Sequence, residues 1–405
     1  MARKLFALVL VLALGMSAVP GLAERPVQIT MGEWGDSERE YHISKVSEEI
    51  LADMNVELVR QTYPSDADFW NNLPAQIAAG TAPDFIRCSN EMYLQYINND
   101  LFVDLTPYIA DGSITVLDNI MDAPKKIWEV NGGMYGIPVT QTPASFILNL
   151  DLWEQAGLTE EDYPSTWQDV LEICKVFKEK LDMPGLCFNT QEFHFTQYVL
   201  SFGGGWGFGE TIDSPQNAAA LQYIIDAYKQ GYVVTPKELG ASYDGAVLIA
   251  GNAAMSTGGT WVNGDAKETA PDLKLKFLPI PNAEGVKASG TIHTDTLVVL
   301  KNGQNEALTA KVINYMAGNK TLQDRMLSVG YVLSMKDRYE EFSDVNPQFV
   351  SLLDRIELCS GFSYPAESKK FADALIFEME DVLFNHSAAT GAEIVARLQQ
   401  QFAPK

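Results

Sequence analysis

This chain of 405 residues has little positive charge, only four cysteines and only four histidines. Lysine and arginine number 29 against 53 aspartates and glutamates, which gives a formal net charge of −24. Proteins that bind the phosphate backbone of nucleic acids, or that lie flat on anionic lipid, need a basic surface. The charge therefore excludes nucleic acid and anionic membrane as expected partners, and it is typical of a solvated acidic surface.

The cysteines and histidines are too scattered to predict a metal centre. No CxxC pair occurs and the histidines lie far apart along the chain, so we expect no structural zinc. Cys174 and Cys187 flank a predicted helix end and the next strand, which makes them the best candidates for a disulfide. Buried free thiols are an equally good interpretation. The glycine run 203–205 lacks the lysine and spacing of a phosphate-binding loop, so no nucleotide or other cofactor is predicted.

Long apolar runs are absent except at the N-terminus. Arg3 and Lys4 precede an apolar stretch at 5–19 (LFALVLVLALGMSAV), and small residues stand at Gly21 and Ala23. The stretch falls short of the ~20 residues that span a bilayer, so the pattern predicts a secretory signal cleaved after Ala23. No cysteine lies near this position, so a lipoprotein anchor is not expected. The predicted location is periplasmic or extracellular.

Strands and helices alternate along the first part of the chain. Apolar alternation predicts strands at 27–31, 56–60 and 84–88, and helical periodicity predicts helices at 37–54 and 68–79 between them. Strand, helix and strand in this order indicate an α/β fold with a mostly parallel sheet. Further strands are predicted at 144–149, 185–189, 253–256, 275–278 and 296–300, and from 305 the chain is largely helical.

Five sequence blocks together resemble the family 1 extracellular solute-binding proteins of bacterial ABC importers, the maltose-type sugar receptors. The blocks are 73–85 (LPAQIAAGTAPDF), 101–109 (LFVDLTPYI), 133–139 (GMYGIPV), 147–158 (ILNLDLWEQAGL) continuing to 164–167 (PSTW), and 253–261 (AAMSTGGTW). Each block alone is weak, but all five stand in family order behind an export signal.

The resemblance implies an α/β fold of two lobes, periplasmic-binding-protein-like, each lobe a mostly parallel sheet flanked by helices. The chain would cross between the lobes near 139–143, 289–294 and 330–334. The N-lobe would comprise 24–140 plus 290–332 and the C-lobe 141–289 plus 333–405. The implied function is a monomeric, non-catalytic receptor that closes on a solute, most simply a carbohydrate, and delivers it to the transmembrane subunits of an ABC permease.

Candidate ligand residues follow from the chemistry of sugars, which present apolar CH faces and a rim of hydroxyls. Ligands of open α/β sheets bind beyond the carboxyl ends of the strands, which favours residues in strand-end loops. Trp261 is the leading candidate, because it follows the strand at 253–256 and the matching family position carries a tryptophan that stacks on the ligand. The other candidates are Trp34, Asp36, Trp206, Asn90, Glu91, Asp295, His293, Tyr243 and Tyr331. Turn bracing, helix capping and loop packing are the alternative interpretations of these residues.

Two other functions stay open at the level of sequence. An exported carbohydrate-active enzyme would need two carboxylates about 5–10 Å apart, and any chain this acidic offers such pairs. The sequence has no G-x-S-x-G and no H-E-x-x-H motif. A receptor for a non-sugar ligand, such as a polyamine or a peptide, is equally compatible with the acidic composition.

Overall fold

The computed structural model describes residues 25–35, 43–287, 290–301, 304–353 and 355–404. The predicted signal sequence, its cleavage site and Asp36 lie outside the described residues. None of the helices in these ranges combines the length and the apolar character needed to cross a bilayer.

The first of two large sheets has five strands in the order β2-β1-β3-β14-β6. Strand β1 pairs in parallel with β2 along its whole length, from Val27 opposite Val56 to Trp34 opposite Tyr63. The apolar alternation in β1 places Ile29 and Met31 in the core, as the sequence predicts. The strands are β1 (Val27–Trp34), β2 (Val56–Tyr63), β3 (Phe85–Ser89), β6 (Ile137–Pro138) and β14 (Asp295–Val299).

The second large sheet also has five strands, in the order β10-β9-β11-β8-β12. They are β8 (Ser145–Asn149), β9 (Leu186–Cys187), β10 (Val233–Val234), β11 (Met255–Gly258) and β12 (Leu275–Pro279). In each sheet four strands run in one direction and one strand, β14 in the first and β8 in the second, runs in the other. Each reversed strand follows directly after the chain has arrived from the other sheet. The predicted mostly parallel α/β architecture is thus confirmed.

A three-stranded sheet lies where the chain passes between the two large sheets. Its strands are β7 (Thr142–Pro143), β13 (Gly290–His293) and β15 (Cys359–Ser360). Strand β13 is central, antiparallel to β7 and parallel to β15. We call this the hinge sheet. Beside it, Thr140 forms an isolated antiparallel bridge with Leu333. Separate passages of the chain are therefore held against one another by backbone hydrogen bonds.

Helices cover both large sheets and form most of the C-terminal part. Local sequence signals mark the ends of two of these helices. Thr166 and Asp169 form a reciprocal capping box at the start of α7 (Trp167–Leu181), and Gly80 ends α2 (Asp66–Ala79) at φ +68°. The helices are α1 (Ile43–Met54), α2 (Asp66–Ala79), α3 (Tyr93–Asn98), α4 (Thr106–Ala110), α5 (Asp122–Trp128), α6 (Leu150–Gln155), α7 (Trp167–Leu181), α8 (Glu192–Ser201), α9 (Pro215–Lys229), α10 (Pro236–Leu239), α11 (Asp244–Ile249), α12 (Trp261–Thr269), α13 (Glu306–Gly318), α14 (Lys320–Val329), α15 (Tyr339–Val345), α16 (Val350–Leu353), α17 (Ser368–Phe384) and α18 (Gly391–Phe402). A two-stranded hairpin, β4 (Glu129–Val130) and β5 (Gly133–Met134), follows α5.

Two large hydrophobic clusters form the cores, one around the first sheet and one around the second. Helices α17 and α18 belong to the second cluster. The segment with α15 and α16 packs in the first cluster, and its Phe349 also meets Phe277 of β12 edge to face. Helix α16 therefore also packs against β12 of the second sheet.

Candidate functional site

Residues at the ends of strands from both large sheets meet at hinge strand β13. From the first sheet, Asn90 follows β3 and its Nδ2 donates to the Ile292 carbonyl at 2.9 Å. From the second sheet, Trp261 follows β11 and its ring centroid lies 5.6 Å from that of His293. The carboxyl ends of the strands in both halves thus converge at one place, where α/β proteins of this kind bind ligands.

Three rings from different elements form the centre of this place. Trp261 at the start of α12, Phe193 in the first turn of α8 and His293 at the end of β13 have centroids 5.6–5.9 Å apart. We call these three residues the ring cluster. Phe193 is buried, whereas Trp261 and His293 are partly exposed. A set of partly exposed aromatic faces is what a protein offers to the apolar CH face of a sugar.

Trp261 stands between the two cores. Among the described partly buried hydrophobic residues, it is the one that packs against both the first and the second hydrophobic cluster. Its ring lies over Gly259, where a Cβ atom would come within 2.0 Å of the indole. Gly259, directly after β11, therefore allows the indole to fold back beside the strand end.

A buried carboxylate adjoins the ring cluster. Glu91 is 7% exposed, and its Oε1 lies 3.5 Å from His293 Nε2. Burial raises the pKa of the Tyr364 hydroxyl well above its ordinary value, and the charges of Glu192 and Glu91 raise it further. Carboxylates accept hydrogen bonds from sugar hydroxyls, so this combination suits a hydroxyl-rich ligand.

Asn90 and Asp295, both predicted to contact ligand, form buried hydrogen bonds at and beside the hinge sheet. Asn90 is 1% exposed; besides donating to Ile292, its Oδ1 accepts from the Thr294 backbone at 2.9 Å. Asp295 is equally buried and forms a two-point ion pair with Arg87, at 2.9 and 3.0 Å. These bonds fix the crossing strand and leave little of either side chain to offer a ligand.

Trp34, Tyr243 and Tyr331 lie around this region in different settings. Trp34 ends β1 and is partly exposed, with the Arg87 guanidinium 4.8 Å from its ring centroid. The hydroxyl of Tyr243 donates to Asp265 on α12. Tyr331 is only 4% exposed and packs in the first core. Trp34 and Tyr243 thus keep exposed surface, whereas Tyr331 acts mainly in packing.

The structure does not place Trp206 at the site. It is fully buried in the second core, its Nε1 donates to Thr196 at 2.8 Å and its ring packs edge to face on Phe371. Asn217 bonds both backbone groups of Gly205, which fixes the preceding glycine loop. The glycines therefore let the chain turn so that the indole enters the core, where it presents no exposed surface to a ligand.

Phe193 is a member of the ring cluster that the sequence reasoning missed. It comes six residues after the end of β9, the same kind of position that pointed to Trp261 and Glu91. Its ring also packs 5.7 Å from that of Phe362, which follows β15. Applying the strand-end rule to β9 would have found it. The sequence between 189 and 193 carries no glycine or tryptophan to mark it as a ligand loop.

A cavity of about 530 Å³ lies between α3, α5 and the segment that follows β15. Its lining includes Tyr93, Lys126, Phe208 and Tyr364. The ring of Tyr364 is 5.6 Å from Phe362, which in turn touches the ring cluster. The volume falls in the range of small-molecule sites, ~300–1,000 Å³. None of its lining residues belongs to the ring cluster.

The cysteines carry free thiols and do not form the disulfide considered from the sequence. Cys88, Cys174 and Cys187 are buried and Cys359 is partly buried. Cys174 packs in the second large cluster, whereas Cys187 belongs to a small separate cluster with Val247 and Ala253. Within the residues that the structure describes, no group of three or more His, Cys, Asp or Glu side chains is arranged to hold a metal ion.

The sequence model of one protein family, described as bacterial extracellular solute-binding protein, matches residues 53–323. Among curated proteins, an arabinooligosaccharide-binding protein of Halalkalibacterium halodurans is 25% identical over 69% of this chain and 64% of the relative. A lactose-binding protein of Rhizobium radiobacter is 27% identical over 42% of each chain. The chain thus spans about two fifths to just under two thirds of the length of these curated relatives.

Solved structures of similar fold align over nearly the whole chain. An ABC substrate-binding protein of Listeria monocytogenes in complex with cycloalternan superposes with a TM-score of 0.81, at 19% identity, covering 93% of this chain and 98% of that one. Maltose-bound MalE3 of T. maritima superposes with a TM-score of 0.79, at 19% identity, covering 93% and 99%. At these identities the likeness establishes the two-lobed fold.

Proposed function

Because the chain belongs to the bacterial extracellular solute-binding proteins, we propose that it is a non-catalytic receptor that captures a carbohydrate between two closing lobes. The captured sugar is then delivered to the transmembrane subunits of an ABC permease. The observation that carries the proposal is the position of Trp261, which packs against both cores and faces the rings of Phe193 and His293.

The chemistry of the site supports a sugar as the solute. An indole and a phenyl ring offer flat apolar surfaces for the CH face of a pyranose or furanose ring. Glu91, beside His293, offers a carboxylate to the hydroxyl rim. The curated relatives include an arabinooligosaccharide-binding and a lactose-binding protein, which are both named for sugars. Oligosaccharides of neutral sugars are therefore the first compounds to test.

The hinge sheet supports closure of the lobes as the capture step. A few residues in short crossing segments can absorb the change in φ and ψ while each sheet moves as a body. We propose an N-lobe of 24–140 plus 290–332 and a C-lobe of 141–289 plus 333–405. The protein would be exported by a signal cleaved after Ala23, and it would act as a monomer outside the cytoplasmic membrane.

A thermal-shift screen tests the function. Arabinotriose, lactose and maltotriose form the sugar arm; spermidine and an alanine tripeptide form the non-sugar arms. A ligand at 100 times its dissociation constant stabilises a protein by about 2.7 kcal/mol, which raises the melting temperature measurably. We expect a rise with at least one sugar and none with spermidine or the tripeptide.

A rise with spermidine or the tripeptide alone would overturn the assignment of a carbohydrate. Chromatography of the sugars after prolonged incubation tests the absence of catalysis, and any hydrolysis by the purified protein would contradict a receptor role. N-terminal sequencing of the exported protein checks the cleavage site, for which Glu24 is the expected first residue.

A further inference from the structure

A buried polar network lies directly beneath the ring cluster. His194 is 3% exposed, and its Nδ1 is 2.8 Å from Thr257 Oγ1 on β11. Its Nε2 is 3.1 Å from Oδ1 of Asp244, the first residue of α11. Asp244 Oδ1 also accepts from Asn189 at 3.0 Å, and Oδ2 accepts from Ser256 at 3.0 Å. We call these five residues the His194 network.

Each element that the network joins carries an aromatic residue at or beside the site. Phe193 precedes His194 in the first turn of α8, and the two rings meet edge to face at 5.0 Å. Tyr243 precedes Asp244 at the start of α11. Trp261 follows Thr257 by four residues. The network therefore ties together the backbone segments that carry Phe193, Tyr243 and Trp261.

The network also adjoins the turn that leads to Trp261. Gly258 and Gly259 lie between Thr257 and Thr260, and glycine does little by itself to fix the backbone. A Cβ atom on Gly258 would lie 3.4 Å from Asp244 Oδ2, so the network also touches the turn directly. Ser256, Thr257 and Gly258 are already paired with β8 in the sheet, and the network adds side-chain bonds at Ser256 and Thr257, just before the turn that presents the indole.

We propose that His194 and Asp244 are positioning residues, which set the relative placement of Phe193 and Trp261 and thereby the affinity and selectivity for sugar. A buried polar pair is weak support for stability, because well-packed apolar residues often stabilise a core as much. The pair of His194 and Asp244 has another use, because with Thr257 it joins the start of α8, the end of β11 and the start of α11 beside the ring cluster. It fixes geometry by directional hydrogen bonds, which apolar packing does not supply.

Three substitutions separate the two bonds of the imidazole. In His194→Asn the shorter amide can replace Nδ1 toward Thr257 but does not reach Asp244. In His194→Gln the longer amide can reach Asp244 but loses the bond to Thr257. Asp244→Asn keeps the shape of the acceptor and removes its charge. The matched control is Asn217→Ala, which also deletes a fully buried polar group in the second half of the molecule. Asn217 bonds to the loop that carries Trp206, and it is not part of the His194 network.

The first readout needs no ligand. The full chain is labelled with 5-fluorotryptophan, and the fluorine resonances of Trp261 and Trp206 are assigned from Trp→Phe variants. We expect the His194 and Asp244 substitutions to shift or broaden the Trp261 resonance and leave that of Trp206 in place. Asn217→Ala should do the opposite. An unmoved Trp261 resonance in all three folded variants would overturn the proposal.

The second readout is the dissociation constant for whichever of arabinotriose, lactose and maltotriose binds the unmodified protein most tightly. We expect it to rise about tenfold in His194→Asn, in which the link between α8 and α11 is lost, and to change less than about twofold in Asn217→Ala. An equal loss in both variants would show a general effect of instability and would contradict positioning. This readout rests on the proposed function, which fails if none of the three sugars binds the unmodified protein. In that case the fluorine spectra still test whether His194 and Asp244 position Trp261.

Discussion

Replacing Trp261 by alanine removes the side chain on which the proposed site depends most. The substitution deletes an indole whose centroid lies 5.7 Å from Phe193 and 5.6 Å from His293, together with the face that would stack on a sugar ring. An aromatic contact contributes about 0.5–1.5 kcal/mol beyond simple burial, and binding anchors of this kind exceed ~2 kcal/mol on truncation. We therefore expect a loss of about 1–3 kcal/mol in binding, or about 5- to 150-fold in the dissociation constant.

Isothermal titration calorimetry with the tightest-binding sugar measures this loss. Trp206→Phe is the matched control, because it also removes an indole from the chain but from a fully buried position bonded to Thr196. That variant should melt at a lower temperature and bind sugar within about twofold of the unmodified protein, since binding follows site contacts and not total stability. A change below about twofold in Trp261→Ala would refute the role of this indole, as would equal losses in the two variants.

Three further outcomes follow from the described contacts. Glu91→Gln removes the buried charge beside His293 and should weaken sugar binding by about 1.5–3 kcal/mol in calorimetry, the range for hydrogen bonds to charged groups; an unchanged affinity would place the sugar elsewhere. Thiol titration without reductant should find four reactive groups per chain after unfolding in guanidinium, because all four cysteines are free, and a count of two would reveal a disulfide. Burial raises the pKa of Asp244, but His194 and hydrogen bonds outweigh it and hold the pKa below its ordinary value. The charged form therefore stabilises the fold above the ordinary aspartate pKa of ~3.9, and this stabilisation is lost as pH falls through the lowered value. The unmodified protein should therefore melt at a higher temperature than Asp244→Asn near neutral pH, and this difference in melting temperature should become smaller below pH ~4. A difference that becomes larger below pH ~4 would contradict a lowered pKa for Asp244.

The sequence was most informative where a local pattern decides the structure. The alternation in β1 and the capping box at Thr166 and Asp169 involve neighbours in the chain, so period and spacing suffice to predict them. The two-lobed α/β fold also followed, through the resemblance of five short blocks to a known family.

The site was less accessible because burial depends on distant partners. Trp206 follows three glycines and looks like a loop residue, but Thr196 and Phe371 enclose its indole, and nothing local signals that. Asn90 follows a strand end and Asp295 lies at a predicted crossing, yet their polar atoms bond to the hinge strand and to Arg87. The strand-end rule finds the right loops, but it cannot tell a side chain that faces solvent from one that holds the crossing together.

A crystal structure of the protein with its tightest-binding sugar would test the proposed receptor most directly. We expect one sugar ring against the Trp261 indole, with a hydroxyl within hydrogen-bond distance of Glu91 and the two lobes closed around it. The cavity beside Phe208 and Tyr93 provides the contrasting location. A sugar bound there, with the ring cluster untouched, would contradict capture at the strand ends.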